Sequence, residues 1–187
     1  MVSFFDTIAG FTTLTKEGEK ALTSILKIEE VEKGQTLVKE NSVCNYIYFI
    51  GEGLTRTYYY KEGKDVTDWI SIEGTFACSI VSFITRKPDR RGIETLEDST
   101  LLSLQYYELE QLYTRYHDIE HLGRLIVSSG LVQLQQRFDD LHFATASERY
   151  KKIMDENPSL IQRVTLGMLA SFLGVTQETL SRIRSQI

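Results

Sequence analysis

QRVTLGMLASFLGVTQETLSRIRSQI, residues 162–187, spells two short helices around a glycine turn. Leu166, Leu169, Ala170 and Leu173 fall at helical spacing and make one apolar face. Gly174 follows at the point where a helix must stop and the chain needs a positive φ. Val175 fits the corner as an apolar plug, and Thr176 is a good N-cap. From Gln177 a second helix turns Leu180 and Ile183 inward and Gln177, Glu178, Ser181, Arg182 and Arg184 outward. A helix pair of this kind, with amide, carboxylate and guanidinium groups on the outer face of its second member, reads as a DNA-binding helix-turn-helix. Arg and Gln at a helix N-terminus suit bidentate contacts to base edges in the major groove. Any αα-hairpin with a Gly corner shares part of this pattern, so the residues upstream decide its meaning.

The whole chain has 187 residues, enough for one large domain or a medium one plus a small one. With 42% hydrophobic residues it can bury a proper core, and two prolines and twelve glycines argue against disorder. No apolar run approaches the roughly 20 residues a membrane span needs, and the N-terminus lacks the basic and apolar regions of a signal peptide. The expected location is cytoplasmic, with no membrane partner. Cys44 and Cys78 lie far apart with no CxxC, and they read as two buried reduced thiols, a disulfide or thiol sensor being the minority reading. The net charge of −5 argues against a general nucleic-acid binder, but the charge is uneven. Residues 143–187 hold six Lys/Arg against four acids, while the other 142 residues hold 15 basic and 22 acidic side chains. An acidic body carrying a mildly basic reading head fits that asymmetry. Few phosphate contacts per subunit are then expected, so binding needs a dimer and weakens with salt.

Upstream the hydrophobic period changes twice. Residues 4–26 read as helical, with Leu14, Ala21, Leu22, Ile25 and Leu26 on one stripe after Thr13 or Thr15 as cap. From Ile28, glycines at 34, 51, 53, 63, 74 and 92 punctuate short β-rich segments such as residues 46–50, 55–60, 66–72 and 100–104. Residues 60–65 make a hairpin turn with Gly63 supplying positive φ. Strands at such spacing indicate a β-sandwich or barrel, with a short helix over 76–83 inserted. The helical period returns over 107–116 and then runs long from Ile119 to about Leu141, through Leu122, Leu125, Ile126, Leu131, Leu134 and Phe138. That apolar set is broader than one packing face needs, which favours a partner helix over packing on its own domain alone. Residues 144–147 form a hinge, Thr145 or Ser147 caps a helix through Met154, and Asn157-Pro158 ends it.

A helix, a glycine-punctuated β-roll, a long helix and a terminal helix pair, in this order, resemble the CRP/FNR (cyclic-AMP receptor) family of bacterial transcription regulators. The pieces that carry the resemblance are Lys33-Gly34-Gln35, residues 46–53, residues 96–100 and residues 173–184. It covers essentially the whole chain and is nearest to short members typical of Bacteroidetes-type bacteria. The resemblance implies an α+β fold: an N-terminal cyclic-nucleotide-binding-type β-roll (a double-stranded β-helix, jelly-roll-like), a long dimerisation helix and a C-terminal helix-turn-helix. The implied divisions are a sensor over residues 1–118, the dimerisation helix over 119–142 and the DNA-binding domain over 143–187. It also implies a non-enzymatic homodimer that binds double-stranded DNA at a palindromic operator, with RNA polymerase as a further partner. Gln177, Glu178 and Arg182 fall on the base-reading positions, with Thr176 at the helix cap, and Ser181 and Arg184 are placed for phosphate. Arg184 has an equal alternative in neutralising the helix C-terminus, and Glu178 is favoured at a helix N-terminus by the dipole alone.

For the effector pocket the resemblance points to Gly74, Thr75, Phe76, Ala77 and Ser79, with Arg90 and Arg91 near the phosphate position and Leu134 and Gln135 on the long helix. Backbone N–H groups there could hold an anion. Thr75 stands where cyclic-AMP binders carry Glu, and Leu134-Gln135 loses one hydroxyl of the family pattern. A cyclic nucleotide, another small molecule and no effector at all remain open, and residues 87–91 also read as a solvated loop. No metal, haem or iron–sulfur cluster is expected. Two cysteines are too few for a cluster, and His117, His121 and His142 all lie in the helical segment. His117 and His121 stand at i,i+4 but lack a third ligand nearby. A cupin-like oxygenase would need His on the strands, which hold none, and no nucleophile or phosphate-loop motif is present. The remaining rival is a ligand-binding or dimerisation module whose terminal helices pack and do not read DNA.

Overall fold

The computed structural model describes residues 2–186. Two compact units divide it, Met1–Thr57 with Ile70–Ser129 and Tyr58–Trp69 with Gly130–Ile187. Among the described residues no helix is long and apolar enough to cross a membrane.

The first unit is a β-roll with helices around it. Its first sheet has the order β1 (Lys27–Val31), β8 (Ser99–Gln105), β3 (Tyr46–Glu52), β6 (Phe76–Ala77), with antiparallel pairing throughout. A second sheet has the order β2 (Thr36–Val38), β7 (Gly92–Thr95), β4 (Thr55–Lys61), β5 (Lys64–Ser71), with residues 58–69 of β4 and β5 counted in the second unit. β8 is held between two neighbours and is buried along nearly its whole length, which is why its sequence is a nearly unbroken run of apolar and hydroxyl side chains. Phe49, Ile50, Ile93 and Leu101 are fully buried at the centre. Phe4 on α1 (Phe4–Ala9) meets Phe49 and Phe76 edge to face, at ring-centroid distances of 5.3 and 6.4 Å. The β4–β5 turn uses Glu62 (φ 52°) and Gly63 (φ 73°), two successive positive φ values that match the right-handed twist of a hairpin. The segment expected as a helix over 76–83 instead begins as β6 and becomes helical only at α3 (Ile80–Thr85), because Phe76 and Ala77 pair with Phe49 and Tyr48.

The expected N-terminal helix is two helices, α1 and α2 (Lys16–Ile25). Thr15 caps α2 by accepting the Gly18 N–H. Its own N–H and O–H donate to Asp118 Oδ2, at 2.7 and 2.8 Å. Asp118 lies in the first turn of α5 (His117–Phe143), so one carboxylate joins the start of α2 to the start of α5. Desolvation alone would raise this carboxyl, but the Thr15 and Ile119 donors outweigh it and hold it below the usual range. Gly18 is required for that approach: a Cβ there would collide with the Asp118 carboxyl. Between β8 and α5 runs α4 (Tyr106–Tyr113), started by the Gln105 side chain on the Glu108 N–H.

The second unit contains the β4–β5 tip, the C-terminal part of α5, and α6 (Ala146–Glu156), α7 (Leu160–Arg163), α8 (Leu166–Phe172) and α9 (Gln177–Arg184). Thr145 and Glu148 form a reciprocal capping box at the start of α6. Tyr150, Leu169, Ala170, Leu173, Leu180 and Ile183 make its core. Arg137 and Arg149 reach from α5 and α6 to the end of α8, donating to Phe172 O at 2.7 Å and Leu173 O at 3.0 Å. Two guanidinium groups thus satisfy carbonyls that a helix end leaves open. Arg137 also lies 4.0 Å over the Phe172 ring. The hairpin tip joins the same unit through the Thr67 N–H, which donates to Ser171 Oγ at 3.0 Å.

Candidate nucleic-acid interface and effector site

The face offered for nucleic acid is built by α8, its turn and α9. Gly174 ends α8 at φ 69°, as its position in the sequence requires. Thr176 then starts α9 with its side chain accepting the Thr179 N–H. Leu180 and Ile183 are buried, at 0% and 8% exposure, and anchor α9 on the core. One side of the helix is therefore fixed, and Thr176, Gln177, Glu178, Ser181, Arg182 and Arg184 are all exposed on the rest. The Glu178 carboxylate accepts from its own N–H and from the Thr176 side chain, with Arg182 one turn on, and all three lower it below the usual range. Glu178 therefore serves the helix start as well as the exposed face. Gln177 lies back over α8, where Gly167 leaves room for its side-chain amide: a Cβ there would sit 2.9 Å from Nε2.

The residues named for the effector site part into three groups. Gly74, Thr75, Phe76 and Ala77 are held by the roll itself. Gly74 (φ 78°) donates to Ile50 O at 2.8 Å, Thr75 accepts from Ile50 N–H at 3.0 Å, and Phe76 packs on Phe49. Ser79 and Arg91 converge on Asp89, within the 87–91 segment. The buried Ser79 hydroxyl donates to Asp89 Oδ2 at 2.8 Å, and Arg91 Nη1 lies 3.2 Å from the same oxygen. An internal carboxylate therefore already supplies the anion that this hydroxyl and this guanidinium would offer a phosphate. Arg90 is exposed beside it. Leu134 and Gln135 are exposed on α5 in the second unit, with the Gln135 amide donating to Asp139. A separate groove of about 470 Å³ is lined by Glu30, Glu32, Glu52 and Asp98 with Ser99 and Thr100. Its acidic walls repel a phosphate. Among the described residues no His/Cys/Asp/Glu group could hold a metal ion.

Asp89 carried no local signal, because its partners are fixed by the return of the chain from α3 into β7. Ser42 and Asp89 form an isolated bridge there, and the Asn41 N–H donates to Asp89 O at 2.7 Å. The hydroxyl and guanidinium were legible in sequence, but the carboxylate that joins them was not.

The model of the cyclic nucleotide-binding domain matches residues 28–116. No curated protein matches the chain. Among solved structures, one described as a CRP/FNR-family transcriptional regulator from Eubacterium rectale is 16% identical, with a TM-score of 0.73 over 92% of this chain and 83% of that one. FixK2 from Bradyrhizobium japonicum is 19% identical, with a TM-score of 0.72 over 87% and 84%. CLP from Xanthomonas campestris, a global regulator responsive to c-di-GMP, is 15% identical, with a TM-score of 0.71 over 92% and 91%. Residues 28–116 thus match the cyclic nucleotide-binding domain, and the chain as a whole shares its fold with these solved CRP/FNR-type structures.

Proposed function

We propose that the chain is a sequence-specific DNA-binding transcription regulator that works as a homodimer. The observation that carries this reading is the exposed polar edge of α9, anchored from behind by Leu180 and Ile183. Arg182 forks onto guanine O6/N7, Gln177 pairs with adenine, and Ser181 and Arg184 meet phosphate. A second feature supports the dimer. Val127, Leu131, Leu134, Phe138 and Leu141 recur along α5 at alternating intervals of four and three residues, each between 40% and 67% exposed. That is a heptad seam, which a second copy of α5 covers in a coiled coil. Two-fold pairing then presents two copies of α9 to successive major grooves about 34 Å apart, on an imperfect palindrome. Val132 and Phe143 lie outside this seam, and it does not explain their exposure.

The test is a gel-shift titration on promoter fragments with Arg182→Ala as the variant. The expected loss is about 1–3 kcal/mol of binding with relaxed preference at one base position. Unaltered affinity together with unaltered base preference defeats the reading.

The effector side of the proposal follows from Asp89. A cyclic phosphate entering between Ser79 and Arg91 has to displace a carboxylate already bonded to both. Millimolar cyclic AMP is therefore expected to leave the melting temperature of the chain unchanged. A rise that grows with nucleotide concentration, the mark of binding to the native state, counts against this.

A further inference from the structure

We propose that Cys44 and Cys78 are a reversible redox couple, a dithiol that a hydroperoxide closes into a disulfide within one chain, and so a modification site at the entrance to α3. The inference stands on the first unit alone and does not depend on whether the chain reads DNA.

The two sulfurs are 34 residues apart in sequence and 4.0 Å apart in space, in direct contact. Both are free thiols; Cys44 is buried and Cys78 is partly open to solvent. A disulfide needs about 2.05 Å between sulfurs, so closure asks for a movement of about 2 Å, within reach of side-chain rotation with a small backbone shift. The surroundings favour a thiolate. The Cys78 S–H hydrogen bond to Cys44, the Ser79 backbone and the charge of Arg86 together outweigh burial and hold the Cys44 thiol down at about 7. The same shared proton, with burial, pushes Cys78 up, so the pair gives up its first proton as a unit. Arg86 is fixed in place: its Nη1 donates to Cys44 O at 2.7 Å, and its guanidinium lies 3.9 Å over the Tyr106 ring.

The chemistry balances with one peroxide. The thiolate that the pair forms by giving up its first proton attacks the O–O bond; that sulfur becomes a sulfenic acid, and the proton leaves with the departing hydroxide as water. The other thiol then attacks that sulfur. The S–S bond forms, the S–O bond breaks, and the hydroxide takes the second thiol's proton as a second water. Two electrons pass from the sulfurs to the peroxide, and a dithiol reductant reverses the change by exchange.

The position makes this more than a surface lesion. Cys78 precedes Ser79, whose hydroxyl holds Asp89, and the Cys44 N–H donates to Ser82 Oγ inside α3 at 2.9 Å. Drawing the sulfurs together therefore pulls both on the residue that heads α3 and on a residue inside it.

The test treats the native full-length chain with hydrogen peroxide, quenches it in acid, unfolds it and alkylates what remains. The expected result is loss of both alkylatable thiols, a mass lower by two hydrogens, a linked pair of proteolytic peptides containing Cys44 and Cys78, and recovery of two thiols with dithiothreitol. Cys44→Ala and Cys78→Ala, checked for folding by circular dichroism, should each keep one thiol or gain oxygen on it. Two thiols still alkylatable after peroxide, linkage only between chains, or oxygen gain without a peptide link would each overturn the proposal. The wild-type peptide map decides the matter even if a variant does not fold.

Discussion

A Leu131→Glu chain is expected to fold normally, to sediment as a monomer and to lose most of its affinity for a palindromic operator. Leu131 is 67% exposed in the single chain, so a carboxylate there meets water and leaves the fold intact. In the proposed dimer the same position lies in the centre of the seam, with Val127 before it and Leu134 after it. Full burial of a leucine contributes about 1.5–3 kcal/mol, and two-fold symmetry places residue 131 in the interface twice. At about 1.4 kcal/mol per decade, the lost leucines alone raise the dimer Kd by roughly two to four decades. The buried carboxylates add to that cost. Operator binding falls with dimer population, because one α9 reads only a half-site. Val132→Glu is the control. It adds the same charge one residue away, on a side chain that is 56% exposed and outside the seam. A wild-type dimer constant for Leu131→Glu, measured by sedimentation equilibrium, would remove α5 as the interface.

What was legible in the sequence and what was not divides by distance along the chain. The α8–α9 turn was readable because each device in it is local. Gly174 takes a positive φ, Thr176 bonds a backbone N–H three residues on, and Leu180 and Ile183 repeat at helical spacing. The β4–β5 turn was readable for the same reason. The links that position these pieces are different in kind. Thr15 meets Asp118 across 103 residues, Arg137 meets the Phe172 carbonyl across 35, and Thr67 meets Ser171 across 104. No periodicity or cap marks such a pair, since a side chain reaching a distant backbone atom depends on where tertiary packing puts both. α7 leaves no mark in the sequence, because four residues, Leu160–Arg163, are too few to display a period. At the candidate effector site the family resemblance points to Ser79 and Arg91, and only the folded chain brings Asp89 between them.

Gly53→Ala should be among the most destabilising single substitutions in the β-roll, and it can be separated into two causes. Gly53 joins β3 to β4 at φ 101°, outside the range that side chains with a Cβ ordinarily take. A Cβ there would also fall 2.8 Å from Ser99 Cα and 2.7 Å from Ser99 Cβ. Ser99 opens β8, the strand between β1 and β3, so its backbone cannot retreat without opening both pairings. Backbone strain of about 1–3 kcal/mol and overpacking of about 1–3 kcal/mol therefore act together. At roughly 2–4 °C per kcal/mol for a chain of this size, the expected fall in melting temperature is on the order of 4–24 °C. Gly63→Ala isolates the first cause: Gly63 has φ 73° in the hairpin turn, and nothing lies within 4 Å of the position its Cβ would take. Ser99→Gly placed on the Gly53→Ala background addresses the second, since it removes the side-chain part of the collision and leaves φ unchanged. The calorimetric order should be Gly63→Ala mildest, the double variant intermediate and Gly53→Ala most damaging. If Gly53→Ala costs no more than Gly63→Ala, the close approach of the β3–β4 connection to β8 is not what the glycine serves, and the packing argument for this edge of the roll fails.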